Sequence, residues 1–376
     1  AFSAALPVIA GGGQVAIMAP TEILAEQHLK NALNYLSDLS TNGKPLRIEL
    51  LTGSSPKAKR EEILAGLKNE EIHLLIGTHA LIEDPVQFAE LGLVVIDEQH
   101  RFGVDQRMRL RAKGQNPHVL SLTATPIPRT LALTAYGDLD VSVIRQLPKG
   151  RPDVFTRITK ESDRLAMFDK IRTELKSGRQ AYIIFPLVEE SEKIDLANAV
   201  QGAEDLANGP LKGFRIGLLH GRMKAQEKTE VMRSFKAGEI DLLVSTTVVE
   251  VGVDVPNATV LVVEHAERFG LSQLHQLRGR IGRGTETSYC FLSTKGSSEQ
   301  SFERLRAMEK TRDGFKLAEI DLEIRGPGQF LGTKQSGELQ FQFASLVRDQ
   351  LVLQEARKSA FELLKNDPEL ERAEHA

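Results

Sequence analysis

Apolar and polar positions along this chain follow two alternating periods. Short runs that are apolar at nearly every position occur at 14–18, 46–51, 73–76, 93–96 and 119–122, the length of buried strands. Between them, 22–36 and 57–67 repeat their apolar residues every three or four positions, which marks helices with one buried face. Strand and helix taken in turn predict a parallel sheet with helices on both faces. Residues 147–152 (LPKGRP) hold two prolines and a glycine without periodicity and read as a linker. A second series follows, with expected strands at 181–185, 215–219, 241–244 and 260–263, and expected helices at 162–176, 224–235 and 272–277. Near 297 the pattern changes to a charged helix, then to a glycine-rich stretch at 325–337, then to a polar helical tail over roughly 346–376. The two series share this grammar and not a repeated sequence. These shifts place domains at 1–148, 149–298 and 299–376.

Composition narrows the picture. A chain of 376 residues, 41% hydrophobic, has room for two or three ordinary cores. It has no apolar run of membrane-spanning length and no signal-peptide pattern at its start. A single cysteine, Cys290, excludes an intrachain disulfide and fits a reducing, cytoplasmic setting. The formal net charge of −3 gives no global basic excess, so a nucleic-acid site must be a local groove. The opening segment, AFSAALPVIAGGG, is apolar from its first residue and reads as a helix entered part-way, as in a fragment.

The candidate chemistry sits at strand ends. VVIDEQH (94–100) is an apolar strand closing on two adjacent carboxylates. In open α/β sheets ligands bind at the carboxyl ends of strands, where an Asp can hold Mg2+ on nucleotide phosphates and a Glu can activate water. Alone it would also read as a solvated acidic strand end. His100 has no second histidine at helical ligand spacing, which excludes a metalloprotease site. QLHQLRGRIGRG (273–284) sets Arg278, Arg280 and Arg283 among three glycines. A guanidinium stabilises spread negative charge on a transferring phosphoryl group. On a helix, Arg280 and Arg283 would share one face. TATPIPRT (123–130) and STTVVEVGVDVP (245–256) follow further strands, as do APTEILAEQH (19–28), LTGS (51–54) and GTHAL (77–81). Thr21 is a plausible helix N-cap, and a helix N-terminus favours phosphate. Each of these taken singly is an ordinary turn. No G-x-x-x-x-G-K-[ST] phosphate loop occurs; GQFLGTK (328–334) has the wrong spacing, and the glycines at 11–13 precede a strand without a lysine. The absence of G-x-G-x-x-G after a strand argues against a dinucleotide enzyme.

In this order the segments resemble the motif set of the superfamily 2 helicases and translocases. FGVDQRMRL (102–110), IPRT (127–130), EHAERFGL (264–271) and IDLEIRGPGQFLGTKQSG (320–337) narrow the likeness to the RecG family, from residue 1 to about 365. The resemblance implies an α/β fold of two RecA-like domains whose parallel sheets are flanked by helices, with ATP between the domains. A helical-hairpin translocation motif and a helical tail would follow. It implies that Asp97 coordinates Mg2+ and Glu98 positions the hydrolytic water. Gln276, Arg280 and Arg283 would reach the nucleotide from the second domain, with Gly252 and Asp254 completing that face. Thr123 and Thr125 would couple hydrolysis to domain movement. Pro20, Thr21, Gly53, Thr78, Thr246 and Thr247 would lie along the DNA backbone. Arg325 and Gln335 would make the coupling contacts of the translocation motif.

The implied activity is ATP-dependent remodelling of replication forks and Holliday junctions in recombination and repair. The implied partners are branched double-stranded DNA and its single strands, with single-stranded DNA-binding protein as a further one. The family's phosphate loop and DNA-splitting wedge are missing from these residues and are expected upstream, so this chain alone is expected to turn over little ATP. Transcription-repair coupling translocases share the motor; FGVDQR and GPGQFLGTKQSG favour the RecG family over them. A non-catalytic DNA-binding remnant is the alternative from another class. The joint presence of Asp97, Glu98, Arg280 and Arg283 argues against it.

Overall fold

The computed structural model describes residues 1–41, 43–124, 140–144, 146, 150–186, 192–246, 254–295, 299–325 and 349–372. Contacts divide the chain into two compact units: Ala1–Ala124 with Ala199–Ala203 and Arg215–Val255, and Thr125–Asn198 with Glu204–Phe214 and Pro256–Ala376. The strands within 215–255 belong by hydrogen bonding to the second of the two large sheets. The expected domain limits at 148 and 298 fall outside the described residues.

The first sheet contains β1 (Gln14–Met18), β4 (Ile48–Leu51), β5 (Leu74–Gly77), β6 (Leu91–Ile96) and β7 (His118–Ser121), beside a small antiparallel ribbon of β2 (Ser40–Thr41) and β3 (Lys44–Pro45). Its strands are parallel, in the order β4-β5-β1-β6-β7. The helices are α1 (Phe2–Ala10), α2 (Glu22–Leu36), α3 (Lys57–Lys68) and α4 (Val104–Arg111). Successive strand residues point to opposite faces. Val15, Ile17, Leu74, Ile76, Leu93 and Val95 therefore pack with Ile9, Leu24, Ala32 and Leu36 of α1 and α2. Ala16, Met18, Leu75, Val94 and Ile96 pack on the other face with Ile63, Leu67 and Leu110 of α3 and α4. Both faces are covered, which is why these strands read as unbroken apolar runs.

The second sheet contains β8 (Val154–Thr159), β9 (Gln180–Ile184), β10 (Ile216–Leu219), β11 (Leu242–Ser245), β12 (Ala258–Val263) and β13 (Ser288–Ser293). Its order is β10-β11-β9-β12-β13-β8. With β8 set aside, this repeats the crossover pattern of the first sheet. The helices are α5 (Arg164–Lys176), α6 (Glu192–Asn208), α7 (Ala225–Lys236), α8 (Leu271–Arg278), α9 (Glu299–Lys310), α10 (Gly314–Arg325) and α11 (Gln350–Asn366). Two parallel α/β sheets followed by a helical region is the expected architecture. The glycine-rich stretch beyond Arg325 lies outside the described residues.

The two sheets share one short local match, at the turns that leave β6 and β12. Asp97 and Glu98 are followed by a 3-10 turn, Gln99–Arg101, then Phe102 and the N-cap Gly103 of α4. Glu264 and His265 are followed by a 3-10 turn, Ala266–Arg268, then Phe269 and the N-cap Gly270 of α8. Glu98 and His265 both adopt the left-handed conformation, at φ 49° and 50°. The Gln106 side chain accepts from Gly103 N at 3.0 Å, and Gln273 accepts from Gly270 N at 3.1 Å. Arg-Phe-Gly-x-x-Gln is thus used twice, at 101–106 and 268–273. A single match of four residues in six, 167 positions apart, gives no periodic signal, which hides it from a linear reading.

Candidate nucleotide and DNA site

β6 carries its acidic end into the middle of the first sheet, where Asp97 N donates to Met18 O of β1 at 2.9 Å. Asp97 Oδ1 accepts from Glu98 N at 3.0 Å, and Oδ2 lies 2.7 Å from His28 Nε2 of α2. An ionised carboxylate only accepts, so the imidazole is the donor. Glu98 Oε2 accepts from Ala124 N at 3.2 Å, which joins the candidate water-positioning group to the turn holding Thr123. His100 Nδ1 stands 3.7 Å from the same oxygen. Burial lowers the pKa of His100 below its ordinary value, with Glu98 opposing.

These residues fit a magnesium–nucleotide. Among the described residues no cluster of three His, Cys, Asp or Glu side chains forms an all-protein metal cage. Asp97 is a fifth exposed and keeps acceptor capacity on both oxygens. Mg2+ ordinarily takes one or two carboxylates and completes its shell with water and phosphate oxygens. The second copy of the turn supplies a control. Glu264, which corresponds to Asp97, is clamped by Arg164 (Nη2–Oε1 2.9 Å, Nη1–Oε2 3.0 Å) and accepts from Ser293 Oγ at 2.7 Å. It is 6% exposed, so its acceptor capacity is spent inside the protein.

The strand-facing candidates of the first sheet converge at its carboxyl edge. Thr21 caps α2, accepting from Leu24 N at 3.4 Å. Glu22 accepts from Ser54 N at 3.0 Å and Ser54 Oγ at 2.9 Å, tying the Pro20–Thr21 turn to the Gly53 turn. Thr78 N donates to Leu51 O at 3.3 Å. A Cβ on Gly77 would fall on that same carbonyl, which demands glycine there. Thr78 is 2% exposed, and its buried hydroxyl has no hydrogen-bond partner among the described residues. Thr246, at the end of β11, is 1% exposed and its hydroxyl is in the same condition. Thr125, Thr247, Gly252 and Gln335 lie outside the described residues; Arg325 is described only as the last residue of α10, and Asp254 is half-buried.

In the arginine-rich segment the helix stops at Arg278, so Arg280 and Arg283 do not share a helical face as expected. Gly279 N caps the helix by donating to His275 O and Leu277 O, and Gly282 at φ 70° turns the chain away. Arg283 Nε donates to Gly279 O at 3.0 Å, while Arg280 is 8% exposed and Gln276 half-buried. Arg278 points inward: its Nη1 donates to Met308 O at 2.7 Å and Thr311 O at 3.1 Å, at the C-terminus of α9. A cation there satisfies the carbonyls that every helix leaves unpaired. Arg278 Nη2 lies 3.2 Å from His275 Nδ1. Burial, with Arg278 second, pushes His275 down to about 4. The sequence reading missed the parts played by His28 and Glu22. Both stand in APTEILAEQH, but only the fold brings Asp97 and Ser54 to them.

Comparison with known proteins gives three family matches in series. A DEAD/DEAH box helicase model matches residues 2–134, a helicase conserved C-terminal domain matches 163–285, and ATP-dependent DNA helicase RecG, domain 3, C-terminal, matches 311–376. The ATP-dependent DNA helicase RecG of Synechocystis is 55% identical over 98% of this chain and 44% of its own length. That of Bacillus subtilis is 50% identical over 98% of this chain and 53% of its own length. A solved RecG bound to a three-way DNA junction is 44% identical, with a TM-score of 0.74, over 91% of this chain and 44% of that one. The chain thus spans about half the length of the relatives it matches. Its two parallel α/β sheets, the acidic strand end after β6, the arginine-rich turn after α8 and this run of matches together show that the chain belongs to the RecG family of superfamily 2 helicases.

Proposed function

We propose that these residues form the motor of an ATP-dependent DNA helicase that remodels branched DNA, at replication forks and Holliday junctions, in recombination and repair. The observation that carries this reading is the open, oriented carboxylate pair at the end of β6. Asp97 keeps free acceptor capacity, whereas Glu264 at the matching turn is sealed by Arg164. The relative solved on a three-way DNA junction supports the choice of DNA.

Bound Mg2+ would neutralise charge on the nucleotide's phosphates, and Asp97 is its proposed ligand. Glu98 orients and deprotonates the attacking water; its hydrogen bond to Ala124 makes its position depend on the chain at Thr123–Ala124. Gln276, Arg280, Arg283, Gly252 and Asp254 are the proposed nucleotide groups of the second sheet. Pro20, Thr21, Gly53, Thr78, Thr246 and Thr247 are proposed along the DNA backbone, where hydroxyls and backbone N–H groups position a strand without reading its bases. Arg325 and Gln335 are proposed for coupling in the translocation motif. Cytoplasmic residence and contact with single-stranded DNA-binding protein complete the reading; no described helix is long and apolar enough to cross a membrane.

The test is ATP turnover on forked DNA by this chain and by the chain extended upstream in its gene. The extended form is expected to be strongly stimulated by DNA. Glu98→Gln should lower that turnover at least about a hundredfold, the scale of a general base, while nucleotide binding persists. Two forms that bind DNA but never hydrolyse ATP would leave a DNA-binding module instead.

A further inference from the structure

The two oxygens of Asp97 are held in different ways. Oδ1 accepts from the next backbone N–H, that of Glu98, and so moves with its own turn. Oδ2 is held by His28, from a helix 69 residues earlier in the chain. Among the described residues no other side chain donates to Oδ2.

That helix is anchored at its other end to the strand-facing turns. Thr21 caps it, and the paired bonds from Ser54 to Glu22 lock the 52–54 turn to its first residue. His28 stands seven residues after Thr21, about two turns on and on nearly the same face. Leu24, Ala25, Ala32 and Leu36 are buried, so α2 is packed along its length and shifts as a body. A displacement of the turns at 19–21 and 52–54 is therefore delivered to Asp97 Oδ2.

We infer that His28 is a positioning residue: it sets the orientation of the Asp97 carboxylate and, through α2, makes that orientation depend on a DNA strand at the 19–21 and 52–54 turns. This rests on the helicase reading above. The acidic residue of the second copy has no such link, since Glu264 is fixed by Arg164 and Ser293.

The experiment uses the upstream-extended, full-length form. His28→Ala should raise the Mg2+ concentration needed for half-maximal binding of a fluorescent ADP by about tenfold, the scale on which loss of an outer-shell ligand partner acts. It should also cut the factor by which forked DNA stimulates ATP turnover, again by about tenfold. Binding of forked DNA without nucleotide, read by fluorescence anisotropy, should stay within about twofold. His28→Gln keeps an N–H donor at similar reach and should recover most of both effects. Glu22→Ala, which removes both bonds to Ser54 at the other end of α2, should lower the stimulation factor and leave the Mg2+ requirement unchanged.

An unchanged Mg2+ requirement and stimulation factor in His28→Ala would overturn the proposal. Equal losses of basal and DNA-stimulated turnover, with the factor intact, would overturn the coupling and leave a local prop. Should circular dichroism show His28→Ala unfolded, His28→Gln against the shorter His28→Asn decides: a Gln that works beside an Asn that does not supports the link, and two equal variants refute it. Wild-type protein without DNA-stimulated turnover would instead sink the helicase reading.

Discussion

Gln14 shows how one buried polar residue can fix the frame on which a site is built. It begins β1 at 2% exposure, with Nε2 donating to Leu67 O at 3.0 Å and Ile72 O at 2.9 Å. Its Oε1 accepts from Ala89 N at 2.8 Å and Glu90 N at 3.1 Å. Gln14→Leu keeps the bulk but removes one partner from each of four backbone groups. Stability should fall by about 3 kcal/mol, read as a lower urea midpoint. A change below about 0.5 kcal/mol would mean that water replaces the amide. His275 gives the corresponding pH prediction. Its folded pKa of about 4 lies below the ordinary 6.5, so its neutral form is the one the fold holds. Its contribution is whole above pH 6.5 and is lost as pH falls toward 4. By pH 5 this amounts to about 2 kcal/mol. His275→Gln should therefore lose less stability than wild type between pH 7 and pH 5. Parallel loss in the two proteins would remove His275 as the cause.

At the scale of elements, the arginine-rich segment divides its labour. Arg278 fastens α8 to the end of α9, and α8 packs on α10. Arg278→Met should leave two helix-terminal carbonyls bare and cost about 3 kcal/mol. Hydrogen exchange should quicken at the C-terminus of α9 and the start of α10. Uniform exchange across the sheet instead would indicate global loss of fold. Central elements were plain in the sequence: β1 and α2 run over the residues expected of them, because each buries a full strand or a regular helical stripe. β8 was not, since Thr156 and Arg157 break its apolar run and Phe155 faces solvent. α4 was not, since Leu110 alone among its residues is buried. Such elements are stabilised by neighbours rather than by their own pattern.

For the molecule as a whole, the charge of −3 and the nature of the strand-facing groups set the salt dependence of DNA binding. Hydroxyls and backbone N–H groups hold phosphates without displacing counterions as Lys and Arg do. Duplex binding by this chain should weaken with salt along a log–log slope shallower than about −5. A slope near −10 would mean that a basic surface carries the affinity. The sequence by itself determined the α/β alternation, the family and the identity of the acidic strand end and the arginine-bearing segment. Those are written in local order, as apolar periods and contiguous motifs. Only the tertiary structure decided which carboxylate stays open and which is clamped, that Arg278 turns inward while the chain leaves the helix before Arg280, and that His28 reaches Asp97. Those outcomes depend on distances between segments tens to more than a hundred residues apart, which sheet pairing and helix packing set and no local pattern records.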